Sequence, residues 1–173
     1  MHQGLAPLAT SQARVLVLGT LPGQLSLQKG EYYAHPRNVF WRLLGELVDA
    51  GPEHPYEDRC RRLTAAGIAL WDVCDRAARP GSLDANIDVD TVEPNDIAAF
   101  LKAHPRVGLV CFNGAKAATL FRRLVLPNQE LRPDVRFEAL PSTSPANAAM
   151  PYEGKLRKWS VVRDPAATSG PSS

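Results

Sequence analysis

Four short apolar runs punctuate the chain, and helical patterns fall between them. Val15-Leu16-Val17-Leu18, Ile68-Ala69-Leu70-Trp71-Asp72-Val73-Cys74, residues 107–112 and residues 135–140 read as strands buried on both faces. Val39, Phe40, Leu43, Leu44, Leu47 and Val48 recur at helical spacing, which predicts an amphipathic helix that stops at Gly51-Pro52. Asn38 stands where an N-cap would stand. Further helices are expected over residues 56–66 with Gly67 as the stop, 96–103, 115–124, and 153 to about 161. Residues 76–95 have no clean period and read as a polar loop.

Strands that alternate with helices predict an α/β fold, a three-layer α/β/α sandwich around a central four-stranded, mainly parallel sheet. Residues 1–165 are expected to form a single domain, and the small polar residues 166–173 a disordered tail. In such a sheet the loops after the strands gather at one edge, where ligands bind. Here those loops begin at Gly19-Thr20-Leu21-Pro22-Gly23, Asp72, Phe112-Asn113-Gly114 and Pro141-Ser142-Thr143-Ser144-Pro145.

The totals change this picture little. The chain has 173 residues, a net charge of +2 and 45% hydrophobic residues, so any nucleic-acid contact must rest on local charge. Cys60, Cys74 and Cys111 are widely spaced, form no metal-binding pattern and read as reduced thiols, the last two in the core. Residues 1–13 have no signal-peptide pattern, and no apolar run has the length of a membrane span. A cytoplasmic location is expected, nucleoid-associated if the source is bacterial, with no membrane partner.

The loop residues admit more than one chemistry. Gly19, Pro22 and Gly23 make a tight turn that exposes backbone N–H groups; it lacks the third glycine of the dinucleotide fingerprint and the Gly-Lys-Ser/Thr of a Walker loop. Tyr32 and Tyr33 can plug the core or stack on a base. Ser142, Thr143 and Ser144 can cap a turn or grip phosphates. Asn113 can hold a left-handed turn or show an amide to a base edge, and Asp72 is ambiguous in the same way. Lys155, Arg157, Lys158 and Arg163 form a solvated face from which one or two phosphate contacts could come. There is no metal constellation, no nucleophile elbow and no close carboxylate pair. An Asn/His/Tyr/Ser site suits a reaction whose leaving group departs largely by itself, such as cleavage of an N-glycosidic bond.

The stretch from Gly19 to Trp41 resembles the first motif of the uracil-DNA glycosylase superfamily, and most of all that of its sixth family, the hypoxanthine-DNA (deoxyinosine) glycosylases. The matching residues are Gly19, Pro22, Gly23, Ser26, Tyr32, Tyr33, Ala34, His35, Pro36, Arg37, Asn38, Phe40 and Trp41. Leu140-Pro141-Ser142-Thr143-Ser144-Pro145-Ala146-Asn147 is similar to the second motif, and Gly81-Ser82-Leu83-Asp84 also fits. The resemblance spans roughly residues 14–163 and implies the fold expected above.

By that resemblance the chain is a monofunctional DNA glycosylase that flips out a deaminated base, hypoxanthine or uracil, and hydrolyses its glycosidic bond. Its partner is damaged DNA, it needs no cofactor or metal, and it acts as a monomer. Leu21 replaces the catalytic Asn of the mismatch-specific enzymes, so the resemblance places catalysis at Asn38. Thr20, Leu21, Tyr33, Phe112 and Asn113 are then expected around the base, with Tyr33 stacked on it. His35, Ser142, Thr143, Ser144, Asn147 and Lys155 are expected against the DNA. The His of the second motif of the first uracil-glycosylase family is absent here, which argues against strong uracil excision. A uracil-specific enzyme and a DNA-binding homologue without catalysis are the alternative readings.

Overall fold

The computed structural model describes residues 1–165. In chain order its elements are β1 (His2–Gln3), β2 (Val15–Gly19), α1 (Gln24–Lys29), α2 (Phe40–Val48), α3 (Tyr56–Ala65), β3 (Ile68–Asp72), β4 (Cys74–Ala78), β5 (Asp88–Pro94), α4 (Ile97–Ala103), β6 (Leu109–Asn113), α5 (Ala115–Leu120), β7 (Arg136–Leu140) and α6 (Tyr152–Trp159). A π-helical turn, Phe121–Val125, extends α5, and a 3-10 turn, Ser160–Val162, extends α6. The expected tail 166–173 lies outside the described residues.

The main sheet has four strands in the order β3-β2-β6-β7, and every pairing in it is parallel. All five residues of β2 are buried, as are all five of β6. Alternation along β2 divides the core in two. Leu16 and Leu18 pack with Val110 and Phe112 against Ile97, Leu101, Leu120 and Phe121, the α4/α5 side. Val15 and Val17 pack with Leu70 and Cys111 against Phe40, Leu43, Leu44, Leu63 and Trp159, the α2/α3/α6 side. Continuous apolar strands are required because helices cover both faces of a parallel sheet.

The stretch expected as a polar loop is instead a second, antiparallel sheet in the order β1-β4-β5. The chain leaves the main sheet after Asp72. Val73 donates its N–H to Gly19 O (2.9 Å), Cys74 donates to Thr20 O (3.0 Å), and the strand then turns outward. Cys74 therefore opens β4 rather than closing β3, while staying buried as expected, like Cys111. The helix α1 was also unmarked in the sequence: its six residues, Gln-Leu-Ser-Leu-Gln-Lys, bury only Ser26.

Candidate active site

Strand register builds the site. Gly19 pairs with Asp72, and Asn113 pairs with Leu140, so all four strands of the main sheet end at one edge. The loops there enclose a cleft of about 680 Å³. Its lining includes Thr20, Leu21, Ser26, Tyr33, His35, Arg37, Asn38, Asp72, Asp84, Asn113, Ser142, Thr143, Ser144 and Asn147.

The turn after β2 is gripped by the β4–β5 connection. Arg79, 2% exposed, donates through Nη1 to Leu21 O (3.0 Å), through Nη2 to Pro22 O (2.5 Å) and through Nε to Gly81 O (3.1 Å). A buried guanidinium needs its donors satisfied, and here backbone carbonyls accept them. Thr20 Oγ1 donates to Asp84 Oδ1 at 2.6 Å, and Gln24 N–H donates to Ser82 Oγ at 3.0 Å.

The second half of the loop is equally fixed. Ser26 Oγ accepts the Ala34 N–H (3.0 Å), Tyr32 OH donates to Ala6 O (2.6 Å), and Trp41 Nε1 donates to Tyr32 O (2.8 Å). Tyr33 lies in the left-handed region at φ 55°, uncommon for a bulky residue. One face of its ring stacks on Phe40, with centroids 4.2 Å apart. Half-buried Asn38 sits one residue before the N-cap, which is Val39. Its Oδ1 accepts the Phe40 N–H at 3.0 Å. That bond orients the amide and leaves Nδ2 and the second Oδ1 lone pair for other partners.

Thr143 joins the two motifs. Its carbonyl accepts the Val39 N–H (3.1 Å), its N–H donates to Asn113 Oδ1 (2.9 Å), and its Oγ1 accepts from Asn113 Nδ2 (2.9 Å). Beyond it, Ser142 Oγ accepts the Ser144 N–H (3.2 Å) and Asn147 Nδ2 donates to Ser142 O (3.4 Å). Gly114 has φ +96°, and a Cβ there would lie 3.0 Å from Ser142 Cβ, so only glycine brings this loop so close to β6.

The floor of the cleft is acidic. Asp72 is 4% exposed. Burial, and then the Asp84 carboxylate, push its pKa up to about 7 against the pull of Arg79. Burial also raises Asp84, opposed by the Thr20 hydrogen bond, Arg79 and Lys116. Burial, and then Asp72, raise the Tyr33 phenol. The Asn113 amide lies close enough to lower that phenol's pKa, yet the contact falls short of hydrogen-bond geometry. A Cβ on Gly19 would come within 2.5 Å of Asp72 Oδ1 and 3.2 Å of Tyr33 Oη, so glycine lets both groups meet the strand end.

Of the residues expected at the site, the structure brings together Thr20, Leu21, Tyr33, His35, Asn38, Asn113, Ser142, Thr143, Ser144 and Asn147. Two expected residues stand outside the lining. Phe112 packs into the α4/α5 core, 4.9 Å from the Phe121 ring, because successive strand residues face opposite sides. Lys155 is 5% exposed and donates Nζ–H to Asn147 O at 2.7 Å, so its ammonium holds the second motif instead of meeting a phosphate. Thr143 does reach the lining but is 1% exposed, and its hydrogen bonds tie protein to protein rather than to DNA. Sequence reasoning missed Arg79, whose neighbours Pro80-Gly81 gave no sign of a buried cation. It also passed over Arg37, exposed and the sole Lys or Arg in the lining among the described residues.

Two other surface features share no residue with the cleft. Asp49, Glu53 and His54 cluster beyond the end of α2, where Asp49 also pairs with Arg62 at 2.6 Å. A smaller depression of about 370 Å³ lies among Glu46, Glu153, Arg157 and Arg163.

Residues 7–164 match the family model of the uracil DNA glycosylase superfamily. The chain is 33% identical over 163 residues to a hypoxanthine DNA glycosylase of Methanosarcina acetivorans, covering 94% of this chain and 98% of that one. A hypoxanthine DNA glycosylase of Methanosarcina barkeri is 36% identical over 116 residues, covering 66% of this chain and 72% of that one. A G/U mismatch-specific uracil DNA glycosylase of Schizosaccharomyces pombe is 28% identical over 112 residues, covering 62% of this chain and 33% of that one. Among solved structures, the solution NMR structure of a candidate uracil DNA glycosylase from Methanosarcina acetivorans superposes with a TM-score of 0.76 at 30% identity, covering 93% of this chain and 96% of that one.

Proposed function

We propose that this chain, which belongs to the uracil DNA glycosylase superfamily, releases hypoxanthine from DNA by hydrolysing its N-glycosidic bond. The observation that carries the reading is the Asn38 amide, oriented by the Phe40 N–H at the edge of a cleft walled by Tyr33. Its support is the relatives named as hypoxanthine DNA glycosylases, one of which matches almost end to end.

The lesion leaves the helix at a cost of a few kcal/mol, least for a mispaired base. A cleft of about 680 Å³ leaves room for a purine. Tyr33 has one ring face on Phe40 and offers the other to the base. As the glycosidic bond lengthens, positive charge grows on the sugar. Asn38 Oδ1 accepts from a water through its remaining lone pair and aims that water at the sugar carbon. Nothing needs to move at that moment, because the Phe40 N–H already holds the amide. His35, Ser142, Ser144 and Asn147 flank the cleft and meet the DNA backbone. Among the described residues no lysine lines the cleft, so the expected product is an intact abasic site without strand cleavage.

The test is a panel of oligonucleotides that carry hypoxanthine, xanthine or uracil at one position, treated with wild type and Asn38→Ala. Wild type should release hypoxanthine fastest, and the variant should lose at least about a hundredfold in rate, the scale of one positioned catalytic group. Full excision by Asn38→Ala rules out the assignment. Tight binding to lesion DNA with no base release by wild type rules out the activity.

A further inference from the structure

The two edges of the main sheet differ. At the β3 edge, Leu8 and Leu70 exchange N–H···O bonds of 2.9 Å, so the segment before β2 covers that strand. At the other edge, β7 pairs only with β6 among the described residues. Arg136 donates its N–H to Gly108 O (2.9 Å), and Leu140 O accepts from the Gly114 N–H (3.0 Å). Strand alternation therefore turns the N–H and C=O of Phe137 and Ala139 outward, and no described group bonds them. An open row of main-chain donors and acceptors is a template for another strand.

The side chains of β7 indicate which strand. Phe137 is 42% exposed although its ring lies 6.3 Å from that of Phe112 and 5.3 Å from that of Phe121. Ala139, on the same face, is exposed and adds no bulk. Arg136 and Glu138 point to the opposite face, where both charges act on the buried Cys111 thiol. Arg136 also donates to Pro165 O, which leaves further donors on its guanidinium. A cation and an anion thus flank Phe137 on one face of the strand. This order is self-complementary: about a two-fold axis at Phe137, position 136 lies opposite position 138 of an antiparallel copy.

We propose that β7 is a docking edge for a second copy of this chain, paired antiparallel about Phe137. The Phe137 residues of the two copies exchange their outward N–H···O bonds, and their rings meet on the α4/α5 face. On the other face, each Arg136 lies opposite the partner's Glu138, so one register makes two charge pairs. The two four-stranded sheets become one continuous sheet. A second copy is the occupant whose charges already stand in the matching order. β7 leads into the second-motif loop, so antiparallel pairing sends the two clefts to opposite ends and leaves both open. A strand this short buries little area, so the dimer is weak and forms by mass action. The proposal does not depend on what the cleft releases.

Sedimentation velocity of the full chain without DNA, at about 5–500 μM, should show a monomer–dimer equilibrium. Glu138→Arg sets like charges opposite each other twice and should weaken it at least about tenfold. Arg136→Glu combined with Glu138→Arg restores opposite charges and should recover most of that loss. Amide hydrogen exchange needs no substitution: the N–H groups of Phe137 and Ala139 should gain protection as wild-type concentration rises. A monomer throughout, the state that the resemblance implies, overturns the proposal. A dimer indifferent to Glu138→Arg overturns it too, as does one that the double substitution weakens just as much. Base release by wild type is assayed separately, so a failed glycosylase reading and a failed dimer are told apart.

Discussion

Asn113 and Thr143 hold each other through two hydrogen bonds of 2.9 Å, side-chain amide to hydroxyl and backbone N–H to amide oxygen. They join the end of β6 to the second motif, and the Thr143 carbonyl passes the connection on to Val39 at the start of α2. The first-motif and second-motif loops are thereby tied into one unit. Thr143→Val should cost about 1–3 kcal/mol, because it leaves a buried Asn113 donor unpaired. Urea unfolding measures this, and a loss below about 0.5 kcal/mol would mean that the Asn113 donor is not left unsatisfied in the variant.

Asn38 has a folding duty that must be separated from chemistry. Removing the acceptor for the Phe40 N–H should destabilise Asn38→Ala by about 1 kcal/mol, as loss of a helix-start acceptor does. Asn38→Asp keeps an oxygen for that N–H and should recover the lost stability. Denaturation midpoints of the two variants decide it.

Arg37 is exposed at the mouth of the cleft. Arg37→Ala should weaken binding to all duplexes about equally and lower the slope of log K against log salt by about 1. Fluorescence anisotropy at several salt concentrations reads both quantities.

Lys155 should behave differently despite its charge. Its ammonium is buried against Asn147 O, and that burial lowers its pKa. Lys155→Met should reduce excision by loosening the second motif while leaving the salt slope of binding unchanged. A slope reduced by about 1 would restore Lys155 as a phosphate contact.

Asp72 makes stability depend on pH with a sign opposite to an ion-paired carboxylate. Its folded pKa, about 7, lies above the ordinary 3.8, so the folded state binds the proton more tightly than the unfolded state. Its penalty is absent below about pH 4, grows as pH rises and is complete above about 7. Asp72→Asn should therefore raise the melting temperature at pH 8 and not at pH 4. Equal shifts at both pH values would show that Asp72 titrates normally.

The sequence made the main sheet legible because strands covered on both faces must be apolar without interruption, as β2 and β6 are. It hid the second sheet because no residue of β5 is fully buried and its pairing with β4 shifts register. Ser26 alone is buried in α1, so that helix had no apolar period to show. Asn38 and Tyr33 were legible as types, but the Phe40 contacts that orient both come only from the fold. Phe112 was expected around the base, yet strand alternation sets its ring opposite its neighbour Asn113, in the α4/α5 core, and that alternation was readable in advance. Arg79 was not readable: its guanidinium matters through carbonyls 57 and 58 residues away.

That clamp divides the labour of the site. Asn38 and its support stand on the main sheet and α2, whereas Arg79, Ser82 and Asp84 reach the cleft from a separate small sheet. On the proposed function, bond cleavage and the shape of the base cavity therefore hang on different scaffolding. A lineage could lengthen or rewrite residues 79–86 and acquire a new lesion spectrum while its hydrolytic apparatus stayed in place.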